Sequence, residues 1–166
     1  MKRLIKLHNY LYKLPRIKFI LLMPIITFFF NRFLMVPIFL ITQKLGHYNI
    51  SGPSQDNILI DILFILIISP FIETLLFQKL IIDECIKTFS QNKYKYYISI
   101  FISSVCFGFL HVMYGILYSL SGFLTGLFLS YSYTVYKTKN NKPILTTSLI
   151  HSALNMIGLT FTFILK

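Results

Sequence analysis

Acidic residues are scarce in this chain. Five Asp and Glu stand against sixteen Lys and Arg in 166 residues, a formal net charge of +11. Such an excess can mark a nucleic-acid binder, but here the basic residues lie between apolar runs and build no basic, aromatic-interleaved surface, so nucleic acid is excluded as a partner. Cysteine is equally sparse. Cys85 and Cys106 form neither a close pair nor a metal-type spacing, so no disulfide scaffold and no redox chemistry are expected. No internal repeat or low-complexity linker divides the chain, and no small-residue cleavage site follows the basic amphipathic segment 1–18. The first apolar stretch is therefore expected to stay as an anchor, and residues 19–166 to form a single membrane domain.

Apolar residues, by contrast, are abundant. The hydrophobic content of 55% and the mean hydropathy of +0.69 exceed what a soluble domain carries and predict an all-α, polytopic transmembrane bundle. Five spans are expected, at about residues 19–41, 57–82, 96–112, 115–136 and 143–165, with a polar loop over 42–56. The first is expected to be interrupted at Pro24, Asn31, Arg32 and Pro37. Lys2, Arg3, Lys6, Lys13, Arg16 and Lys18, then Lys87, Lys93 and Lys95, then Lys137, Lys139 and Lys142 all fall on one face of a five-span topology. Lys44 and Lys166 fall on the other. The expectation is an integral membrane protein with a cytoplasmic N-terminus, lipids as its surroundings, and an oligomeric state that the sequence leaves open.

Within the second span lies one conspicuous carboxylate. Glu73 is deep in an apolar run, where an ionised acid costs several kcal/mol unless paired or hydrated, so chemistry is the default reading. His111 falls near the end of the third span. On the fifth, Ser148, His151, Ser152 and Asn155 recur at helical spacing and share one face. One bundle interior can gather an acid, two imidazoles and an amide, although each alone reads as readily as helix-to-helix packing. Measured from the expected helix ends, Glu73 and His151 lie about 16 Å and about 12 Å deep, and His111 about 22 Å. The small residues Gly115, Ser119, Gly122, Gly126 and Ser130 form a stripe read as packing.

These residues resemble a family, the CAAX prenyl protease and bacteriocin-processing enzymes, also called the CPBP or Abi family of intramembrane proteases. Its first motif, EExxxR after a proline, aligns with Ser69-Pro70-Phe71-Ile72-Glu73-Thr74-Leu75-Leu76-Phe77-Gln78. Its FxxxH motif aligns with Phe107 through His111, and its HxxxN motif with His151 through Asn155, so the resemblance covers about residues 60–160. The resemblance implies an endopeptidase that needs no cofactor and cleaves a peptide or a membrane-associated protein. It implies Glu73 as general base acting with His111 on a water, and His151 with Asn155 as oxyanion donors. Thr74 and Gln78 stand where the family has a second Glu and an Arg; at i, i+4 they can replace an ion pair with a neutral hydrogen bond.

Two other readings stay open on the residues themselves. Glu plus two His is a possible zinc set, but no HExxH helix is present and the ligands would come from three helices, so no metal is expected. A noncatalytic relative, acting as a membrane scaffold, bacteriocin-immunity or regulatory protein, would use the same polar groups to hold helices or bind a peptide. A bacterial cell membrane and a leader or bacteriocin-like peptide substrate fit the small, Lys-, Ile- and Asn-rich chain.

Overall fold

The computed structural model describes residues 2–44 and 58–164, and these form six helices with no strand among them. The helices are α1 (Lys2–Lys13), α2 (Arg16–Lys44), α3 (58–88), α4 (Lys95–Leu110), α5 (Ile116–Thr138) and α6 (Pro143–Ile164), with a single 3₁₀ turn at Val112–Tyr114. Lys166 and most of the expected 42–56 loop lie outside the described residues.

Burial is inverted relative to a soluble protein, and this follows from lipid as solvent. Ile17, Phe33, Phe109 and Ile116 are each more than 70% exposed, while Ser99, Ser103, Ser104, Ser130, Thr146 and Thr147 are fully buried. In hydrocarbon there is no hydrophobic drive to bury Leu or Phe, so small and hydroxylated side chains, which allow close approach and hydrogen bonds, take the helix interfaces. Three helical stretches are long and apolar enough to cross a bilayer: Arg16–Gln43, Phe64–Thr88 and Pro143–Phe161. At 16 residues α4 spans about 24 Å.

The small-residue stripe on α5 is a packing seam. A Cβ on Gly122 would come within 3.4 Å of Gly108 Cα, and one on Gly126 within 3.0 Å of Ser104 Cα, so α4 and α5 touch backbone to backbone. Gly115 is different from what its spacing suggested: with φ 110 it caps the start of α5 in a conformation open only to glycine, and contributes a turn. The expected interruption of the first span also differs. The helix runs unbroken from Arg16 to Lys44 through Pro24 and Pro37, as prolines in membrane helices commonly permit. Asn31 is used for a clamp, its Nδ2 donating to Ser121 O (3.0 Å) and Thr125 Oγ1 (3.0 Å) and its Oδ1 accepting from Ser121 Oγ (3.1 Å).

The basic residues converge at one end of the bundle. Lys137 pairs with Asp83 (2.8 Å), His8 Nδ1 meets the Tyr131 hydroxyl (3.1 Å), Tyr12 lies under Lys139 (4.8 Å) and Arg16 Nε donates to Thr146 Oγ1 (2.8 Å). These contacts bring α1, the last turns of α3 and α5 and the first turn of α6 together.

Candidate active site

The first motif sits on a helix that changes register twice. Two π-helical stretches, Phe64–Ile68 and Thr74–Leu80, flank a short α-helical segment, Ser69–Glu73. Pro70 gives the local cause. Ser69 N–H donates back to Phe64 O in the five-residue repeat, and the next residue is a proline with no N–H to offer Ile65 O. The Asn155 side chain supplies the missing donor, Nδ2 to Ile65 O at 2.9 Å. One member of the third motif thus holds the irregular backbone that carries the first.

Glu73 projects from the end of this segment into the bundle. Its Oε1 accepts a hydrogen bond from Ser69 Oγ one turn earlier, and its Oε2 faces His151 Nε2 at 3.8 Å, with side chains 17% and 5% exposed. At that separation the pair is an electrostatic contact rather than a hydrogen bond.

His111 ends α4. Its Nδ1 lies 2.8 Å from Phe107 O. A carbonyl only accepts, so Nδ1 carries the proton and Nε2 keeps a free lone pair, the form able to take a proton from water. Phe107 is the spacer between the histidines, with ring centroids 5.0 Å from His111 and 5.6 Å from His151. The opposite side of the His111 ring is set by Tyr118 (5.4 Å) and by Gly122, where a Cβ would stand 3.0 Å from Nδ1.

All four candidate residues are therefore gathered: Glu73 against His151, His111 joined to His151 through Phe107, and Asn155 one turn beyond His151 and tied to α3. The depth expected for His111 exceeded that of Glu73 because α3 runs on to Thr88, six residues past its expected end, so Glu73 lies about 9 Å deeper than its expected boundary gave. Ser103 Oγ bonds both Phe77 O (2.9 Å) and Ser130 Oγ (2.7 Å), which fixes a common level across α3, α4 and α5. From that level His111 is eight residues on and Glu73 four residues back, about 12 Å against about 6 Å, a gap that side chains span.

Residues 55–157, more than half of the chain, match the family described as type II CAAX prenyl endopeptidase, Rce1-like. The chain belongs to the Rce1-like family. Neither the curated proteins nor the solved structures gave a match. Membership makes the protein one of the CAAX-protease-type intramembrane endopeptidases in general, and the matched stretch contains Glu73, His111, His151 and Asn155.

In this Rce1-like chain Thr74 and Gln78 are both fully buried, yet no hydrogen bond joins them and their polar side-chain atoms have no partner among the described residues. The expected neutral pair does not form, because the stretch they occupy is π-helical and its repeat is five residues rather than four. Ser69 and Tyr118 were missed in the sequence. Ser69 had a readable signal, a hydroxyl at i−4 from the only deep acid; Tyr118 had none, since its contact with His111 depends on the α4–α5 crossing. Among the described residues no three His, Cys, Asp or Glu converge closely enough to hold a metal ion. An apolar groove of about 330 Å³ between Gly108, Phe109, Ile116 and Phe123 opens on the outside of α4 and α5 and contains none of the four candidate residues.

Proposed function

We propose that this chain is an intramembrane endopeptidase in which Glu73 activates water for attack on a peptide carbonyl. The observation that carries it is the buried approach of Glu73 Oε2 to His151 Nε2 at 3.8 Å, with His111 Nδ1 committed to Phe107 O and its Nε2 left as the acceptor. In this mechanism Glu73, oriented by Ser69, takes a proton from a water that His111 helps to hold. The resulting hydroxyl forms the new C–O bond to the carbonyl carbon, and the C–N bond then breaks as the proton passes to the leaving amine. His151 Nε2–H and the second Nδ2 proton of Asn155 are the donors for the oxyanion, where a fixed, poorly hydrated site makes hydrogen bonds most effective. No covalent intermediate is required. The gathering of basic residues at one end supports a cytoplasmic N-terminus, and a leader or bacteriocin-like peptide in a bacterial membrane is the substrate that fits a small chain of this composition.

The test compares protein termini in membranes expressing wild type or Glu73→Gln at equal folded abundance, repeated with the purified protein. New termini that require Glu73 and reappear with purified wild type are expected. Thr74 and Gln78, in place of the family's acid and arginine, favour one rival, a noncatalytic immunity or regulatory protein. Identical termini from both proteins together with undiminished protection by Glu73→Gln would establish that rival. A metal-dependent route would instead appear as stoichiometric zinc on purification, with activity lost to chelation and restored by metal.

A further inference from the structure

Seven buried side-chain polar atoms have no hydrogen-bond partner among the described residues: Thr74 Oγ1, Gln78 Nε2 and Oε1, the Tyr136 hydroxyl, Thr147 Oγ1, Ser148 Oγ and His151 Nδ1. Other interior hydroxyls are satisfied by the preceding helical turn, Ser99 by Lys95 O, Ser104 by Ile100 O, Ser132 by Phe128 O and Thr134 by Ser130 O. The seven are also not scattered. The contacts His151 to Glu73 and Asn155 to Ile65 set α3 and α6 antiparallel, since a lower number on α6 meets a higher number on α3. Thr147 and Ser148, about one turn before His151, then run level with Gln78, about one turn beyond Glu73 and Thr74. Tyr136 closes the series in the last turns of α5, opposite the first turn of α6, where Arg16 Nε holds Thr146 Oγ1. The residues that carry the unpartnered atoms thus lie on α3, α5 and α6 between the basic end of the bundle and the turn that holds His151.

A buried polar group left without a partner keeps its full desolvation penalty, so seven left dry would weigh heavily against the marginal stability of a folded domain. The chemistry of the lining selects what satisfies them. Hydroxyls and a carboxamide both donate and accept, which matches water; a cation would find acceptors alone useful and an anion donors alone. We propose that α3, α5 and α6 enclose a column of about two or three buried waters, running from the basic end of the bundle to Nδ1 of His151. Resting on the hydrolytic reading above, the column delivers the water that each cleavage consumes from behind the site, without passing through lipid or past bound substrate. A water donating to Nδ1 also leaves the His151 proton on Nε2, the nitrogen that faces Glu73.

Hydroxyl-radical footprinting of the full chain in lipid nanodiscs, with radicals generated from water by X-rays and read by mass spectrometry, tests this directly. Tyr136 and His151 report on the column, and Met23, 1% exposed and with an easily oxidised thioether, is the dry control. Oxidation of Tyr136 and His151 about tenfold faster than that of Met23 is expected, because radicals form from the bound waters themselves. Replacing Gln78→Met and Thr147→Val keeps volume and removes the polar groups, and should return both residues to the control rate; Thr147→Val alone serves if the double variant does not fold. Tyr136 and His151 as protected as Met23 in the wild type, or labelling unchanged in the folded variants, would overturn the column. Because footprinting needs no substrate, a labelled column with Glu73-independent termini would remove the protease reading alone, and Glu73-dependent termini without labelling would remove the column alone.

Discussion

At the scale of single residues, the site is organised by what each polar atom is already committed to. Glu73 has one oxygen held by Ser69 and the other turned to His151; His111 has its Nδ1 committed to Phe107 O; Asn155 has one N–H committed to Ile65 O. On the mechanism proposed above, replacing Glu73 by Gln keeps this shape and removes the base, and is expected to lower cleavage by about a hundredfold or more at unchanged abundance, read as loss of the dependent termini. Ser69→Ala leaves Glu73 without its orienting donor. An approximately tenfold loss of rate is expected, with the thermal midpoint held and Ser69→Thr restoring the rate; a fall in stability matching the fall in rate would make Ser69 a packing residue instead. Asn155→Leu removes the donor that Pro70 fails to provide, and should cost about 1–3 kcal/mol in a denaturation experiment in detergent as well as activity. Stability equal to wild type would mean that Ile65 O finds another partner.

At the scale of helices, spacing carried much of the result. The span expected at 115–136 falls within two residues of Ile116–Thr138, and the start expected at 143 is the start of Pro143–Ile164, because Gly115 and Pro143 punctuate the chain where the helices begin; the end expected at 165 lies outside the described residues. The polar face of α6 was legible for the same reason. What spacing did not carry was any departure from the α-helical repeat. The π-helical turns around Ser69–Glu73 combine a proline the sequence shows, Pro70, with a donor from another helix, Asn155, that it does not, and no periodicity in Phe64–Ile68 announces them. The end of α3 was placed six residues short, since Asp83, Glu84 and Lys87 look like a loop until Asp83 is seen bonded to Tyr133 and Lys137. The glycine seam offers a matched test. Gly122→Ala pushes a methyl against the His111 ring and the Gly108 backbone and should cost about 1–3 kcal/mol together with activity, whereas Gly158→Ala, whose added methyl would meet no atom of another described element within 4 Å, should be neutral or stabilising by up to about 1 kcal/mol. Equal melting shifts for the two would show that α4 and α5 do not meet as closely as described.

For the whole molecule, the concentration of cations at one end makes orientation measurable. With Cys85 and Cys106 replaced by Ala, Lys93→Cys in the α3–α4 hairpin is expected to react with a membrane-impermeant maleimide only when the cytoplasmic side is open to reagent. Labelling from the opposite side of sealed cells would invert the topology.

The Asn31 clamp concerns the molecule as a whole in another way. Helix α2 precedes the matched stretch 55–157, yet Asn31 occupies Ser121 O and Thr125 Oγ1 of α5, and Arg16 occupies Thr146 Oγ1 of α6. Take that helix away and two neighbouring helices would present bare hydroxyls and a bare carbonyl to acyl chains that can offer them nothing. Helix α2 therefore works as a stave, closing that flank of the bundle against lipid.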